Sequence, residues 1–479
     1  MKHSKSMAIF SLSVGLLAGV SGISLHAKET SLVPEPRGVL TSNSPEDKVL
    51  QDNDSHEESR ESEREKEVNI LNYGLDTDII AMLDEFIANK TFHYLEELDG
   101  ILRRTRSVAL REKIIMYFTE AKDNRLADYA LEIIEDPFDT RNSTVSLLFK
   151  YVSAVKVAEA GPLARALLEE EYMEYFEGAL TALADVGTAE DAQFLAEYIN
   201  REELSIGQQQ SVMKALGRLK AVETWDALVD IAQNEDKNTF VRMYASEAIG
   251  AMEKPESVEV LAYLYESTDP NLRASVIKGI AHYPNDATAQ AIIIEGIKDS
   301  HYKVRLESIK AVKDNKMQSA AAHIVFRAKN DPETAVKYAC FETIGILGDK
   351  DGIKYLQDLV KEKYAGDTAK VKASEALLAH GSSSALDSVV TLARESLTDD
   401  KKKNLRYALG KVFAAQENAG FAEICGEYLA HKDVATVGTG LDIYARNKFP
   451  SITQTVREIA DGEKASSNRT KARKILDRE

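Results

Sequence analysis

From about residue 71 onward, apolar side chains return every three to four positions, the spacing of one face of an α-helix. The stretch from Val241 to Gly250 shows the pattern. With Val241 as position zero, small or apolar residues fall at +4, +7 and +8, namely Ala245, Ala248 and Ile249. The stripe restarts at Tyr175, Gln208, Val241, Leu272, Val304, Val336, Ala369 and Leu405, at intervals of 33, 33, 31, 32, 32, 33 and 36 residues. Weaker copies begin at Leu110, Arg141 and Val437, which makes about eleven units. Position +7 is mostly small: Ala182, Ala215, Ala248, Gly279, Ala311, Thr343 and Ala376, with Val412 in the last strong copy. Position +8 is large: Leu183, Leu216, Ile249, Ile280, Val312, Ile344, Leu377 and Phe413. A small residue lets a neighbouring helix approach, and the larger one beside it fills the gap.

A second apolar helix is written between successive stripes. Examples are Val258, Val260, Leu261 and Leu264, or Ile353, Leu356, Leu359 and Val360. Each unit is therefore two antiparallel helices. One pair cannot bury its apolar faces, whereas a stack of pairs can. The pattern predicts an all-α fold, with a solenoid of helical hairpins over residues 71–460 and a C-terminal capping helix over 461–479.

A polar signature keeps phase with the stripe. Position +1 is Arg242, Arg273, Arg305, Lys337, Lys370 and Arg406. Position −5 is Glu170, Glu203, Asp236, Asp299, Asp331 and Asp400. The acid falls in the turn before the helix, within reach of the helix N-terminus and of the +1 cation of its own or an adjacent unit. The expected result is a structural charge ladder built from Asp236, Arg242, Arg273, Asp299, Arg305, Asp331, Lys337, Lys370, Asp400 and Arg406.

A turn acid, then Val-Arg, spaced alanines and Ala-Leu-Gly together resemble HEAT repeats. Val241-Arg242 to Gly250, Val304-Arg305 to Val312 and Ala215-Leu216-Gly217 carry the likeness. The units are also similar to the shorter HEAT-like repeats of bilin lyases. Tyr175-Phe176 and Gln208-Gln209 depart from the pattern, because they lack the cation. The resemblance implies a right-handed α-solenoid and, as a rule, a binding or scaffolding role rather than one activity. It also implies that the striped helix lines the inner curve of the array. On that helix, positions +2 and +6 point away from the core. Position +6 is a mixed charged row: Lys214, Glu247, Lys278, Lys310, Glu342, Glu375 and Lys411. Position +2 is apolar for an outward row: Met243, Ala274, Leu306, Tyr338, Val371 and Tyr407. Two readings stand side by side, lateral packing between neighbouring helices or a groove for a partner helix or peptide. In the second, Met243, Leu306, Tyr338, Val371 and Tyr407 are the anchors, with Lys278 and Lys310 beside them.

The first 27 residues read as an export signal. Lys2 and Lys5 precede an uncharged run from Met7 to Leu25, and Ala27 offers a cleavage point. An uncleaved anchor is the alternative. Residues 28–70 then hold 12 acidic and 6 basic residues and few large apolar ones. Such a stretch buries too little to offset its chain entropy, and reads as a disordered acidic linker. The full chain carries a net charge of −18. That charge argues against nucleic-acid binding, which needs a basic surface, and against docking on anionic lipid. The mature chain is not expected to insert into a membrane.

No constellation of catalytic residues emerges, and neither does a metal or cofactor site. HExxH, GxSxG and GxxxxGK[ST] strings are absent. His93, His282, His301, His323, His380 and His431 are scattered over different repeats. Cys340 and Cys425 lie about two repeats apart, beyond bridging distance, and are expected to be reduced and buried. Trp225 reads as a packing residue. The expectation is a non-enzymatic scaffold or adaptor in the bacterial cell envelope, periplasmic or secreted after cleavage near Ala27, and taking a protein or peptide partner. The alternatives are a HEAT-like lyase or other enzyme subunit, and a structural component of an envelope secretion or motility machine.

Overall fold

A computed structural model describes residues 64–462, apart from 200 and 202, together with 466–476. The described residues all fall in one compact unit, Ser55–Glu479. The expected export signal and most of the expected linker fall outside the described residues, as do residues 463–465 and 477–479. Residues 64–73, assigned in part to the linker on sequence grounds, are helical, and Leu71 is buried.

All regular structure among the described residues is helical, with no strand. The helices alternate between two layers. One layer is a continuous run in which each helix packs on the next. It comprises Asp76–Asn89, Val108–Ala121, Asn142–Val155, Phe176–Val186, Ile206–Arg218, Thr239–Ala251, Pro270–Ile280, Tyr302–Asp314, Thr334–Leu347, Asp367–His380, Lys403–Ala414, Val434–Asn447 and Ser467–Leu476. The intervening helices, from Leu95–Arg104 to Pro450–Asp461, each pack on the member of that layer that follows them in the chain. Every stripe start from Leu110 to Val437 lies within a helix of the continuous layer or, for Arg141 and Tyr175, at its N-cap. The fold is the all-α solenoid that the stripe predicts.

Local chemistry sets the helix ends. Ser107, Asn238, Asp269, Asp286, Asp349, Ser382 and Asp433 accept backbone N–H groups in the first turn, while Thr188 and Ser205 form reciprocal capping boxes with Asp191 and Gln208. Among the described residues, six of the nine non-glycine residues in the left-handed region are lysines, including Lys90, Lys122 and Lys156 just past helix C-termini. The cation at the negative end of the helix dipole offsets part of that backbone cost.

Packing between repeats is closest where small residues meet. Gly250, at +9, lies so near Gly279, at +7 of the next unit, that a methyl group on Gly250 would overlap the Gly279 backbone. Gly217 meets Ala248 and Gly345 meets Ala376 in the same register. The +4 row, Ala245, Val276, Ser308, Cys340, Ala373 and Leu409, is wholly buried beneath this contact.

Candidate functional site

Two true rungs of the charge ladder form. Arg273 donates through Nε and Nη2 to both oxygens of Asp299, at 2.8 and 2.9 Å, and through Nη1 to the carbonyls of Ser267 and Thr268. Arg305 repeats this with Asp331, at 2.8 Å twice, and with the carbonyls of Asp299 and Ser300. Each rung runs from +1 of one unit to −5 of the next. Each acid also accepts a backbone N–H at its own turn, from His301 and Glu333 respectively. Burial pushes the Asp299 carboxyl upward, but the Arg273 hydrogen bonds and the His301 N–H outweigh it and hold the carboxyl below its ordinary range.

Elsewhere the expected ladder is broken, and for three of the four remaining cations the register explains why. The position facing Arg242 is Ser267, so its guanidinium turns to the Ala232 carbonyl at 3.0 Å. The position facing Lys337 is Tyr364, which is exposed. Lys370 is buried, and the Asp400 that would face it pairs instead with Lys432 at the surface, at 2.9 Å. Lys432 also occupies the position facing Arg406. That guanidinium, 1% exposed, donates to the Thr436 hydroxyl and the Ser396 carbonyl. Asp236 is exposed, and among the described residues no cation lies within 4.0 Å of it. Residue type alone marked a ladder of ten members; the missing acid one repeat on opens the rungs of Arg242, Lys337 and Arg406, while Lys370 loses its facing Asp400 to Lys432.

The +6 row is on the surface, with Lys214, Lys278, Lys310, Glu342 and Lys411 exposed. Lys278 reaches Glu247 of the preceding unit at 3.1 Å. The +2 row is half-buried. Leu306, Tyr338 and Val371 pack against the core, and Tyr407 donates its hydroxyl to Asp433 of the next unit at 2.6 Å. Met243 is half-buried as well, and Ala274 is buried. This row thus makes lateral contacts and still shows part of its surface. Where helices Tyr302–Asp314 and Thr334–Leu347 meet, Leu306 alone of this row lines an open groove of about 230 Å³. Leu306, Ile309 and Ala339 form the apolar part, while Glu307, Lys310, Lys313 and Glu342 rim it. Lys313 and Glu342 pair across the groove at 3.0 Å.

Tyrosine hydroxyls add contacts that the stripe does not announce. Tyr151 bonds the Leu126 N–H and the Asp123 carbonyl, Tyr198 the Leu168 carbonyl, and Tyr428 the Arg406 carbonyl. Each fastens one hairpin to an earlier turn or helix. Their positions differ from unit to unit, so no sequence period marks them.

No group of three or more His, Cys, Asp or Glu able to hold a metal ion occurs among the described residues. Cys340 and Cys425 are free and buried, and burial pushes both thiols up to about 12. Trp225 lies half-buried, donating to the Ser257 hydroxyl at 2.9 Å with Lys254 over its ring. Burial lowers the His282 imidazole. No helix among the described residues is long and apolar enough to cross a membrane.

Known structures resemble this architecture at low sequence identity. The complex of CpcE and CpcF of phycocyanin lyase from Nostoc sp. PCC7120 is 14% identical over 47% of this chain and 87% of that one, with a TM-score of 0.29. Kap121p bound to Nup53p is 13% identical over 86% of this chain, with a TM-score of 0.41, and this chain spans 52% of its length. A search of curated proteins finds no match. A family model described as spirochaete HEAT repeat protein matches residues 71–475, almost the whole stack. The chain belongs to the spirochaete HEAT-repeat protein family.

Proposed function

We propose that the mature chain is a non-enzymatic, protein-binding scaffold or adaptor of the bacterial cell envelope. Its N-terminal signal directs export, and cleavage near Ala27 releases it to the periplasm or beyond. The observation that carries the binding role is the groove floored by Leu306, Ile309 and Ala339 and rimmed by Lys310, Lys313, Glu307 and Glu342. Apolar floor with charged rim is the composition of a protein-recognition surface. Half-exposed Leu306 supplies anchor area in the groove, and half-exposed Tyr338, outside it on the next helix, extends the contact for a helix or extended peptide laid along the continuous layer. Such a role needs surface and repetition rather than convergent acid and base groups, which is why it is favoured over a lyase or another enzyme subunit.

In-cell crosslinking with mass spectrometry tests this reading. Leu306→Asp combined with Lys310→Glu removes an anchor and reverses a rim charge. The expected result is loss of the crosslinked partner while the helical content is kept. Unchanged partner recovery from a folded variant overturns the groove as the binding site. Terminal sequencing of the periplasmic fraction should give Lys28 as the first residue.

A further inference from the structure

The hairpin turns at residues 136–141 and 170–175 lie side by side. Tyr175 donates its hydroxyl to the Pro137 carbonyl at 3.4 Å. The Phe138 ring meets Tyr172 edge-on with centroids 4.9 Å apart, and lies 6.2 Å from Tyr175. The junction leaves apolar surface uncovered, with Phe138 53% and Met173 49% exposed and Tyr172 half-buried. Single exposed apolar side chains are ordinary, but several together on two joined turns mark a contact surface.

The rim of this patch is acidic. Glu135, Asp136, Asp139, Glu170 and Glu174 are exposed, and among the described residues no cation lies within 4.0 Å of any of them. Nearby Arg165 and Arg201 are already paired, with Glu169 at 2.7 Å and Glu171 at 3.3 Å. The ladder register accounts for the surplus. Asp136 and Glu170 stand five residues before zero, where a +1 cation of the preceding unit would meet them. Those cation positions hold Arg111, which turns to the Thr105 carbonyl at 2.9 Å, and Asn142. The rungs that neutralise Asp299 and Asp331 further along are therefore missing here. Glu170, by hydrogen bond and by charge, and Glu174 push the Tyr172 phenol above its ordinary value.

We propose that Phe138, Tyr172 and Met173, inside the rim of Asp136, Asp139, Glu170 and Glu174, dock a cationic peptide segment of a partner protein, in which Lys or Arg alternates with apolar residues. Apolar side chains of the segment cover Phe138 and Met173, while its cations meet the carboxylates and stack on the ring faces. An uncharged apolar partner would desolvate the rim without pairing it. A purely polar cation would leave the rings wet. The patch sits on hairpin turns and shares no residue with the Leu306 groove, so the two sites stand or fall separately.

The probe is a short fluorescein-labelled peptide of alternating Lys and Leu, titrated into the full chain by anisotropy. An all-Lys peptide of equal charge is the comparison. Glu170→Lys with Glu174→Lys should weaken binding by roughly tenfold or more, and so should Phe138→Ser with Met173→Ser. Asp351→Lys with Asp387→Lys makes the same charge change on exposed acids of other repeats and should leave binding unchanged. Met173→Ser alone, at an exposed side chain, covers the case in which replacing Phe138 unsettles the turn. Equal weakening by the distant pair overturns the proposal in favour of general attraction to an acidic chain. Unchanged binding in the patch variants, or an all-Lys peptide that binds equally well, also overturns it. Self-association of the chain that Glu170→Lys with Glu174→Lys abolishes would give the patch to a second copy instead.

Discussion

Asp331 and Asp400 occupy the same place in their repeats, and the structure gives them opposite surroundings. Asp331 is buried and holds Arg305 by two bonds, whereas Asp400 meets only Lys432 at the surface. Removing one partner of a buried pair leaves a charge without compensation, and costs about 3–5 kcal/mol. An exposed pair is screened by water and contributes little. Asp331→Ala should thus lower the urea midpoint strongly, while Asp400→Ala should leave it nearly unchanged; equal effects would refute the two-rung ladder. Asp299 adds a pH signature. Its folded carboxyl sits below its ordinary value of 3.8, so its contribution is present above that value and is lost as pH falls through the lower folded value. Asp299→Asn should therefore unfold earlier than the parent at neutral pH, and the gap between their thermal midpoints should close below about pH 4. The acid and cation positions were legible in the sequence. Which of them pair was legible only in part: Ser267, Tyr364 and Lys432 stand where the next acid would be, but Asp400 stands opposite Lys370 and turns to Lys432, which only the fold shows.

At the scale of the helix, the small +7 row foretold close approach, and Gly250 against Gly279 is its tightest point. The partner at +9 had no separate signal, since a glycine near a helix end also reads as a stop. Gly250→Ala should force Thr239–Ala251 and Pro270–Ile280 apart and cost about 1–3 kcal/mol. Gly100 lies inside Leu95–Arg104 with open space where a Cβ would stand. Gly100→Ala should stabilise by about 0.5–1 kcal/mol, through helix propensity alone. Unfolding curves of the two variants should move in opposite directions, and a shared direction would show that propensity rather than packing governs both sites. Candidate sites were harder to see at this scale. The +2 row was marked as outward, yet Leu306 and Tyr338 divide their surface between core and solvent. Phe138 and Tyr172 lie in different turns, outside any stripe, and only the fold brings their rings together.

Across the stack, what the stripe fixed was the neighbour list, because period and phase say which helix follows which. Stability in such an array is the sum of repeat terms and nearest-neighbour interfaces. The C-terminal helix Ser467–Leu476 is then a local cover. Its Ala472 and Ile475 are buried, Asn468 and Lys471 donate to the carbonyls of Val434 and Gly438, and Arg473 donates to the Ala460 carbonyl. All these contacts fall on the last hairpin, Val434–Asn447 and Pro450–Asp461. Deleting residues 466–479 should raise hydrogen exchange in those two helices and leave Val108–Ala121 through Thr239–Ala251 as protected as before. A loss of protection spread evenly over all repeats would mean that the stack opens as one cooperative body. The additive picture would then fail, because ends and middle of the array would share a single stability.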